Sequence, residues 1–165
     1  MKIAEKKVNE VKVEVTPEIK YFVLDLDQSL ISKSNYRRGI SGKQWRKYAD
    51  FEKDLALEVS MNLPKDWSLG EIGDPIELRP KVISVIFAVS LVDTSNFSKS
   101  ILDACEKIVY HNDASVVYSS AIGERKRLNQ KIVIGFAQLP PGSSIENAVQ
   151  HARILEDQVL KISRK

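Results

Sequence analysis

The sequence has few of the features that mark secreted, membrane-spanning or fibrous proteins. Its single cysteine, Cys105, excludes an internal disulfide and a zinc site built from thiolates. The longest apolar run, Val85–Val89 with its neighbours, is interrupted by Ser84 and Ser90 and is far too short to cross a membrane. No apolar stretch follows the lysines of the first eight residues, so we expect no secretory signal and a cytoplasmic location.

The composition is that of an ordinary globular protein. Of 165 residues, 43% are hydrophobic and 28% charged, and seven Gly and six Pro exclude low complexity. A chain of this length buries enough apolar surface to fold without metal or disulfide support. We expect one domain over residues 1–142 and a C-terminal helical extension over residues 143–165.

The positive charge is clustered rather than large. The formal net charge is only +3, which by itself says nothing about nucleic acid. Two basic clusters are either solvated faces or contacts for phosphate groups. The candidate nucleic-acid-binding residues in them are Arg37, Arg38, Arg46, Lys47, Arg125, Lys126 and Arg127.

Hydrophobic periodicity predicts an α/β fold of the α+β type, with a mixed or antiparallel sheet packed by two helices. Strands are predicted at Val11–Val15, Tyr21–Leu26, Val82–Val92, Ser115–Ile122 and Lys131–Leu139. Helices are predicted from a capping box at Ser41 to the residues before Pro64, over Phe97–Val109, and over Ser143–Ile162. The last two strands are expected to form an antiparallel hairpin with a loose turn.

The final helix carries an apolar seam with spacings of three and four residues. This seam packs either on its own domain or on a partner helix, and the pattern does not decide between them. Its residues are Ile145, Ala148, Ala152, Leu155, Val159 and Ile162.

A first candidate for chemistry is an Asp-x-Asp-x-Ser pattern that follows an apolar strand. Asp25 and Asp27 there resemble the first motif of haloacid-dehalogenase-type phosphatases, in which the two acids act beside Mg²⁺. That family needs a longer parallel α/β domain, and the residues after Leu30 show no βαβ repetition. The other interpretation is that both acids end a strand and face water.

A second candidate combines several features. Asp93 follows a central apolar strand, and a helix begins near Asn96. Lys99 and Asp103 lie on the polar face of that helix. Asn112 and Asp113 precede the next strand. Carboxylates near a helix N-terminus and a lysine can hold Mg²⁺ and orient water on a phosphodiester, while the lysine neutralises phosphate charge. The alternative is that these acids only end strands and cap the helix.

These residues resemble the RusA family of Holliday-junction resolvases. The family pattern is Asp-x-Asp-Asn, a Lys three residues on, an Asp-Ala/Gly-Leu helix, and Asp-Asp before a strand. Val92–Ala104 and Asn112–Val117 follow it, and Ser34–Arg38 is similar to the family's Ser-Asn-x-x-Tyr loop. The resemblance covers roughly residues 21–139 and includes the order of the elements.

The resemblance implies a homodimeric, Mg²⁺- or Mn²⁺-dependent endonuclease that makes paired nicks in four-way DNA junctions. It assigns Asp93 and Asp113 as catalytic metal ligands and Lys99 as the catalytic lysine, with Asn96, Asp103 and Asn112 in support.

The chain also departs from the family pattern. Ser95 and Asn112 stand where the family has acids, and the segment between Asp103 and Asp113 is one residue short. Since Mg²⁺ binding depends on such charge, the departures favour either a weak nuclease or a relative that binds DNA without cutting it.

Overall fold

The structure, a computed structural model, describes residues 18–27 and 42–165, with side chains from residue 45 onward in the second range. The predicted strand Val11–Val15, the cap at Ser41, and the basic residues Arg37 and Arg38 lie outside the described residues. The described part contains four strands and three α-helices, namely β1 (Lys20–Leu26), α1 (Gly42–Asn62), β2 (Lys81–Val89), α2 (Thr94–Cys105), β3 (Val116–Glu124), β4 (Lys131–Leu139) and α3 (Ile145–Ser163).

The four strands form one mixed sheet in the order β1-β4-β2-β3. β4 runs antiparallel to both of its neighbours, whereas β2 and β3 are parallel. The central strands β2 and β4 are buried on both faces, which explains why their sequences are uniformly apolar. The predicted α+β fold with a mixed sheet is confirmed.

The predicted hairpin of the last two strands is wrong. β2 lies between β3 and β4, so the two consecutive strands do not pair with each other. β3 instead continues β2 in parallel through α2, because a parallel pair requires a crossover connection and α2 supplies it. This topology decides where the ends of β2 and β3 lie.

Helices cover both faces of the sheet. On one face, α1 and α2 pack in a cluster that includes Leu55, Phe97 and Ile86. In α1, Tyr48 is buried, whereas Trp45 is 52% exposed and contacts the Tyr48 ring with centroids 5.7 Å apart.

α3 covers the other face. Its seam residues Ala148, Ala152, Leu155 and Val159 are buried against β2 and β4, while Ile145 is 80% exposed. The seam therefore contacts the chain's own sheet. Ser144 begins the helix, and its side chain accepts a hydrogen bond from the Asn147 backbone N–H at 3.1 Å.

Within the described residues, no helix is long and apolar enough to cross a membrane.

Candidate active site

Helix α2 positions most of the predicted site residues. Asp93 precedes its first residue, and the Asp93 carbonyl accepts hydrogen bonds from the backbone N–H groups of Asn96 and Phe97 at 2.9 and 3.1 Å. The Asp93 side chain makes no capping hydrogen bond, although aspartate is well suited to one. Its carboxylate is therefore not committed to holding the helix end.

The buried face of α2 decides which side chains face outward. Phe97, Ile101, Ala104 and Cys105 are buried against the sheet, so Lys99 and the residues beside it line the opposite, open side. The helix begins close to β3 because residue 123 is glycine. A Cβ atom on Gly123 would lie 3.2 Å from the Phe97 ring, and Phe97 has no room to move away.

A groove of about 550 Å³ runs between α2 and β3. It brings together three of the predicted site residues, Lys99, Asp103 and Asp113. We call it the α2–β3 groove, and its lining residues are Ser95, Ser98, Lys99, Leu102, Asp103, Asp113, Val116 and Ser119.

A buried tyrosine lies close to the two carboxylates of the groove. Tyr110 is 1% exposed, and its hydroxyl donates a hydrogen bond to the Leu102 carbonyl. Burial raises the pKa of Tyr110, and the nearby charges of Asp113 and Asp103 raise it further. Tyr110 is therefore a core residue, and it is not available to stack on a DNA base.

Asp93 does not share the groove with Asp113. It lies in a separate hollow with Thr94, Gly123, Glu124 and Arg125.

The strand directions keep Asp93 and Asp113 apart within one chain. Asp93 follows the end of β2, whereas Asp113 precedes the start of β3, and β2 and β3 are parallel. The two residues therefore lie at opposite ends of the strand pair. The α2 axis alone separates Asp93 from Asp103 by about 15 Å.

The described residues contain no group of three His, Cys, Asp or Glu side chains arranged to hold a metal ion. Asp103 and Asp113 nevertheless provide two carboxylates on one groove. Mg²⁺ is commonly held by one or two carboxylates together with water and substrate phosphate, so this pair fits the ion's preference for oxygen ligands.

The asparagine that precedes Asp113 has an uncommitted side-chain oxygen. Asn112 Oδ1 is buried and has no hydrogen-bond partner among the described residues. Asn112 begins the short 3₁₀ turn Asp113–Ser115 that leads into β3. A further oxygen is therefore present beside the groove, although Asn96 at the other end of α2 does not line it.

The described basic residues lie on exposed positions. Arg46 and Lys47 lie in the first turns of α1, and Arg125, Lys126 and Arg127 follow β3. Arg125 also lines the hollow that contains Asp93, and Lys126 forms an ion pair with Glu124. These side chains are accessible to a phosphate backbone.

The two acids of the Asp-x-Asp-x-Ser pattern, Asp25 and Asp27, do not form a phosphatase site in the structure. Asp25 forms an ion pair with Lys131 at 3.1 Å, and Asp27 is exposed just after β1. β1 pairs only with β4, in antiparallel orientation, among the described strands. This part of the chain does not form the parallel α/β domain that a haloacid-dehalogenase-type phosphatase requires.

Sequence reasoning missed Ser119 as a groove residue. Ser119 lies on β3. Which side of the sheet its side chain faces could be predicted only once β3 was known to pair with β2 rather than β4. The parity of side chains along β3 places Ser119 on the α2 face, whereas Tyr118 and Ser120 face α3 and bind Glu156.

An open groove lined by two carboxylates and a lysine suits chemistry on phosphodiesters. The family model of endodeoxyribonuclease RusA matches residues 32–135. The chain therefore belongs to the RusA family of Holliday-junction-resolving endonucleases, as the sequence motifs indicated. The match ends within β4, before α3 begins. A comparison with curated proteins finds no match.

Proposed function

We propose that this protein is a Mg²⁺-dependent, structure-selective endonuclease that nicks four-way DNA junctions in recombination and repair. The observation that carries the proposal is the α2–β3 groove, where Lys99, Asp103 and Asp113 line one open surface. Family membership supplies the substrate class. The proposal keeps the cytoplasmic location expected from the single cysteine of the sequence.

Asp103 and Asp113 would hold the divalent cation, Mg²⁺ or Mn²⁺. A bound cation supplies Lewis-acid activation of the phosphodiester and of a water molecule. The Lys99 ammonium, on the same groove wall, binds a non-bridging phosphate oxygen and stabilises the negative charge that develops during cleavage. The groove is open enough to admit a DNA backbone.

The exposed basic residues hold the DNA through its phosphates. We assign this role to Arg46, Lys47 and the segment 125–127, and we extend it to Arg37 and Arg38, which lie outside the described residues. Contacts of this kind give affinity and steep salt dependence but no base recognition. Junctions are then selected by shape, with a homodimer presenting two sites to two strands.

A non-catalytic DNA-binding relative is the second candidate. Ser95 lines the groove where the family motif has an acid, and Asn112 replaces another. Fewer carboxylates lower the negative charge that attracts Mg²⁺, so this protein would bind junctions and cut them slowly or not at all.

Binding and nicking measured separately distinguish these functions. The protein is incubated with a synthetic four-way junction or a linear duplex, in EDTA, Mg²⁺ or Mn²⁺, followed by fluorescence anisotropy and denaturing gels. The endonuclease proposal expects junction binding in all three buffers and nicks near the branch point only with metal. Junction binding without nicks in Mn²⁺ supports the non-catalytic relative, and absence of junction preference contradicts both.

A further inference from the structure

The connection from α2 to β3 contains a lysine whose backbone adopts a conformation that favours glycine. Lys107, two residues after the last residue of α2, has a φ of 68°. Among the described residues, the other positions with positive φ are three glycines and Asn129, and asparagine tolerates this region better than lysine does. The Cβ atom of Lys107 therefore has a conformational cost that glycine would avoid.

The Lys107 ammonium bridges the two ends of this connection. Its Nζ atom donates a hydrogen bond to the His111 carbonyl at 2.7 Å, and it lies 3.4 Å from a Glu106 carboxylate oxygen. It also lies 3.4 Å from His111 Nδ1. Glu106 directly follows the last residue of α2, and His111 is two residues before Asp113. One side chain therefore links the end of the helix to the residues that lead into the groove.

Backbone hydrogen bonds continue from this lysine to the groove. Lys107 N–H donates to the Tyr110 carbonyl at 2.8 Å. Asn112 then begins the 3₁₀ turn that contains Asp113, and Ser115 N–H donates to the Asn112 carbonyl at 2.9 Å. The position of Asp113 is thus set by a series of contacts that starts at Lys107.

The two carboxylates of the α2–β3 groove lie on either side of this connection. Asp103 belongs to the last turn of α2, whereas Asp113 follows the connection, and both line the groove. The separation of the two carboxylates therefore depends on the geometry of the residues between them.

We propose that Lys107 is a positioning residue of the nicking centre, whose ammonium holds the α2–β3 connection in the geometry that brings Asp113 to the groove beside Asp103. This role rests on the proposed function, because it assigns the two carboxylates to a divalent cation. Lys107 is exposed and does not line the groove, so it acts through Asp113 rather than on the phosphate. The costly backbone conformation is retained because the ammonium reaches both of its partners from this position.

The sign of the effect separates positioning from simple electrostatics. A positive charge near a cation site repels the cation, so removal of an ammonium that had no positioning role would strengthen metal binding. Positioning predicts the opposite result. Without the Lys107 ammonium, Asp113 is no longer held at the distance that a shared cation requires, and metal binding weakens.

Four variants test the role of the ammonium. Lys107→Gln removes the charge and keeps the backbone cost, Lys107→Gly removes both, and Lys107→Arg keeps the charge. Asn129→Gly is the matched control, because Asn129 has a φ of 56° and lies in the connection between β3 and β4, at the other end of β3 from Asp113.

The affinity for Mn²⁺, measured by electron paramagnetic resonance without DNA, is the first readout. We expect Lys107→Gly and Lys107→Gln to bind Mn²⁺ about tenfold more weakly than the parent, as is common when a contact that orients a metal ligand is lost. Lys107→Arg and Asn129→Gly should bind Mn²⁺ as the parent does. Lys107→Gly should also have a higher Tm than Lys107→Gln, because glycine adopts a positive φ without cost, so its weaker binding does not arise from unfolding.

Hydrogen exchange of the Ser115 amide tests the positioning without metal or DNA. This amide lies in the turn that contains Asp113, and Ser115 is 2% exposed. We expect the amide to exchange about tenfold faster in Lys107→Gly than in the parent, because the turn opens more often, and at the parent rate in Asn129→Gly.

The proposal is overturned if Lys107→Gly binds Mn²⁺ as tightly as the parent or more tightly, or if its Ser115 amide exchanges at the parent rate. Lys107→Arg as defective as Lys107→Gly, or an equal defect in Asn129→Gly, also contradicts it. A parent that binds no Mn²⁺ and does not nick the junction refutes the nuclease proposal instead, while the exchange of Ser115 still decides whether Lys107 positions Asp113.

Discussion

Helix α3 packs closely against the sheet at Gly135, in the middle of β4. Gly135 lies opposite Val23 on one side and Val85 on the other. A Cβ atom at this position would lie 2.6 Å from Val159 Cγ2 and 2.9 Å from Leu155 Cδ1. Both side chains are fully buried, so neither can turn into solvent. The change Gly135→Ala therefore forces α3 away from the sheet or forces Val159 into another rotamer.

The expected cost follows from these distances. Carbon atoms pack at about 3.5–4.0 Å, so the new methyl overlaps its neighbours by about 1 Å. Overpacking of a core costs about 1–3 kcal/mol. Replacing glycine also restricts the unfolded chain, which offsets about 0.4–1 kcal/mol. We expect Gly135→Ala to lower the free energy of unfolding by about 1–2 kcal/mol and the Tm by roughly 3–6 °C for a chain of this size.

Urea denaturation of a double-mutant cycle checks the cause. Val159→Ala alone is expected to cost about 2 kcal/mol through a lost apolar contact and a cavity. In the double variant the smaller side chain accommodates the new methyl, so its cost should be less than the sum of the single costs by about 1 kcal/mol or more. A Gly135→Ala protein as stable as the parent would refute this reasoning. So would a double variant whose loss of unfolding free energy equals the sum of the two single losses.

Three further outcomes are expected. Burial raises the pKa of Cys105 from 9.0 to about 12, so its thiol should not react with Ellman's reagent at pH 8 until urea unfolds the protein. The free energy of unfolding should fall as the pH rises from 9 to 12, because only the thiol of the unfolded chain ionises in that range. Prompt reaction of the native protein would contradict the burial of Cys105. Replacing Arg125 and Arg127 by Ala should reduce the slope of log K against log salt for junction binding by about 0.9 per residue, and an unchanged slope would exclude them from the phosphate contacts. Glu156→Ala should lower the free energy of unfolding in urea by about 1–2 kcal/mol. It should also lower the pKa of Tyr118 in an ultraviolet titration, because Glu156 accepts the Tyr118 hydrogen bond that raises this pKa. An unchanged pKa of Tyr118 would contradict that hydrogen bond.

Most elements of the fold were predictable because their patterns are long and regular. β4 was predicted with the bounds Lys131–Leu139 that it has in the structure, since a continuous β-branched and apolar run has few alternatives. The partner of each strand was harder. The twelve-residue helix between β2 and β3 was the available signal for a parallel pair, but adjacency along the chain favoured the wrong hairpin.

The same topology explains which part of the site was predicted. Lys99, Asp103 and Asp113 come together because helical spacing and the short connection after α2 bring them there. Asp93 was expected to join them because Asp93 and Asp113 lie at the ends of neighbouring strands. A sequence does not show that a strand end and the next strand's start fall at opposite edges until the two strands are known to be parallel.

The most direct measurement compares the nicking rate of the parent with that of Asp113→Asn, on a four-way junction in Mg²⁺ with protein in excess over DNA. Asp157→Asn, an exposed change on α3 across the sheet, is the matched control. We predict that Asp113→Asn still binds the junction but nicks it at least about a hundredfold more slowly, while the control nicks at the parent rate. Nicking by Asp113→Asn as fast as the parent would show that the α2–β3 groove is not where the DNA is cut.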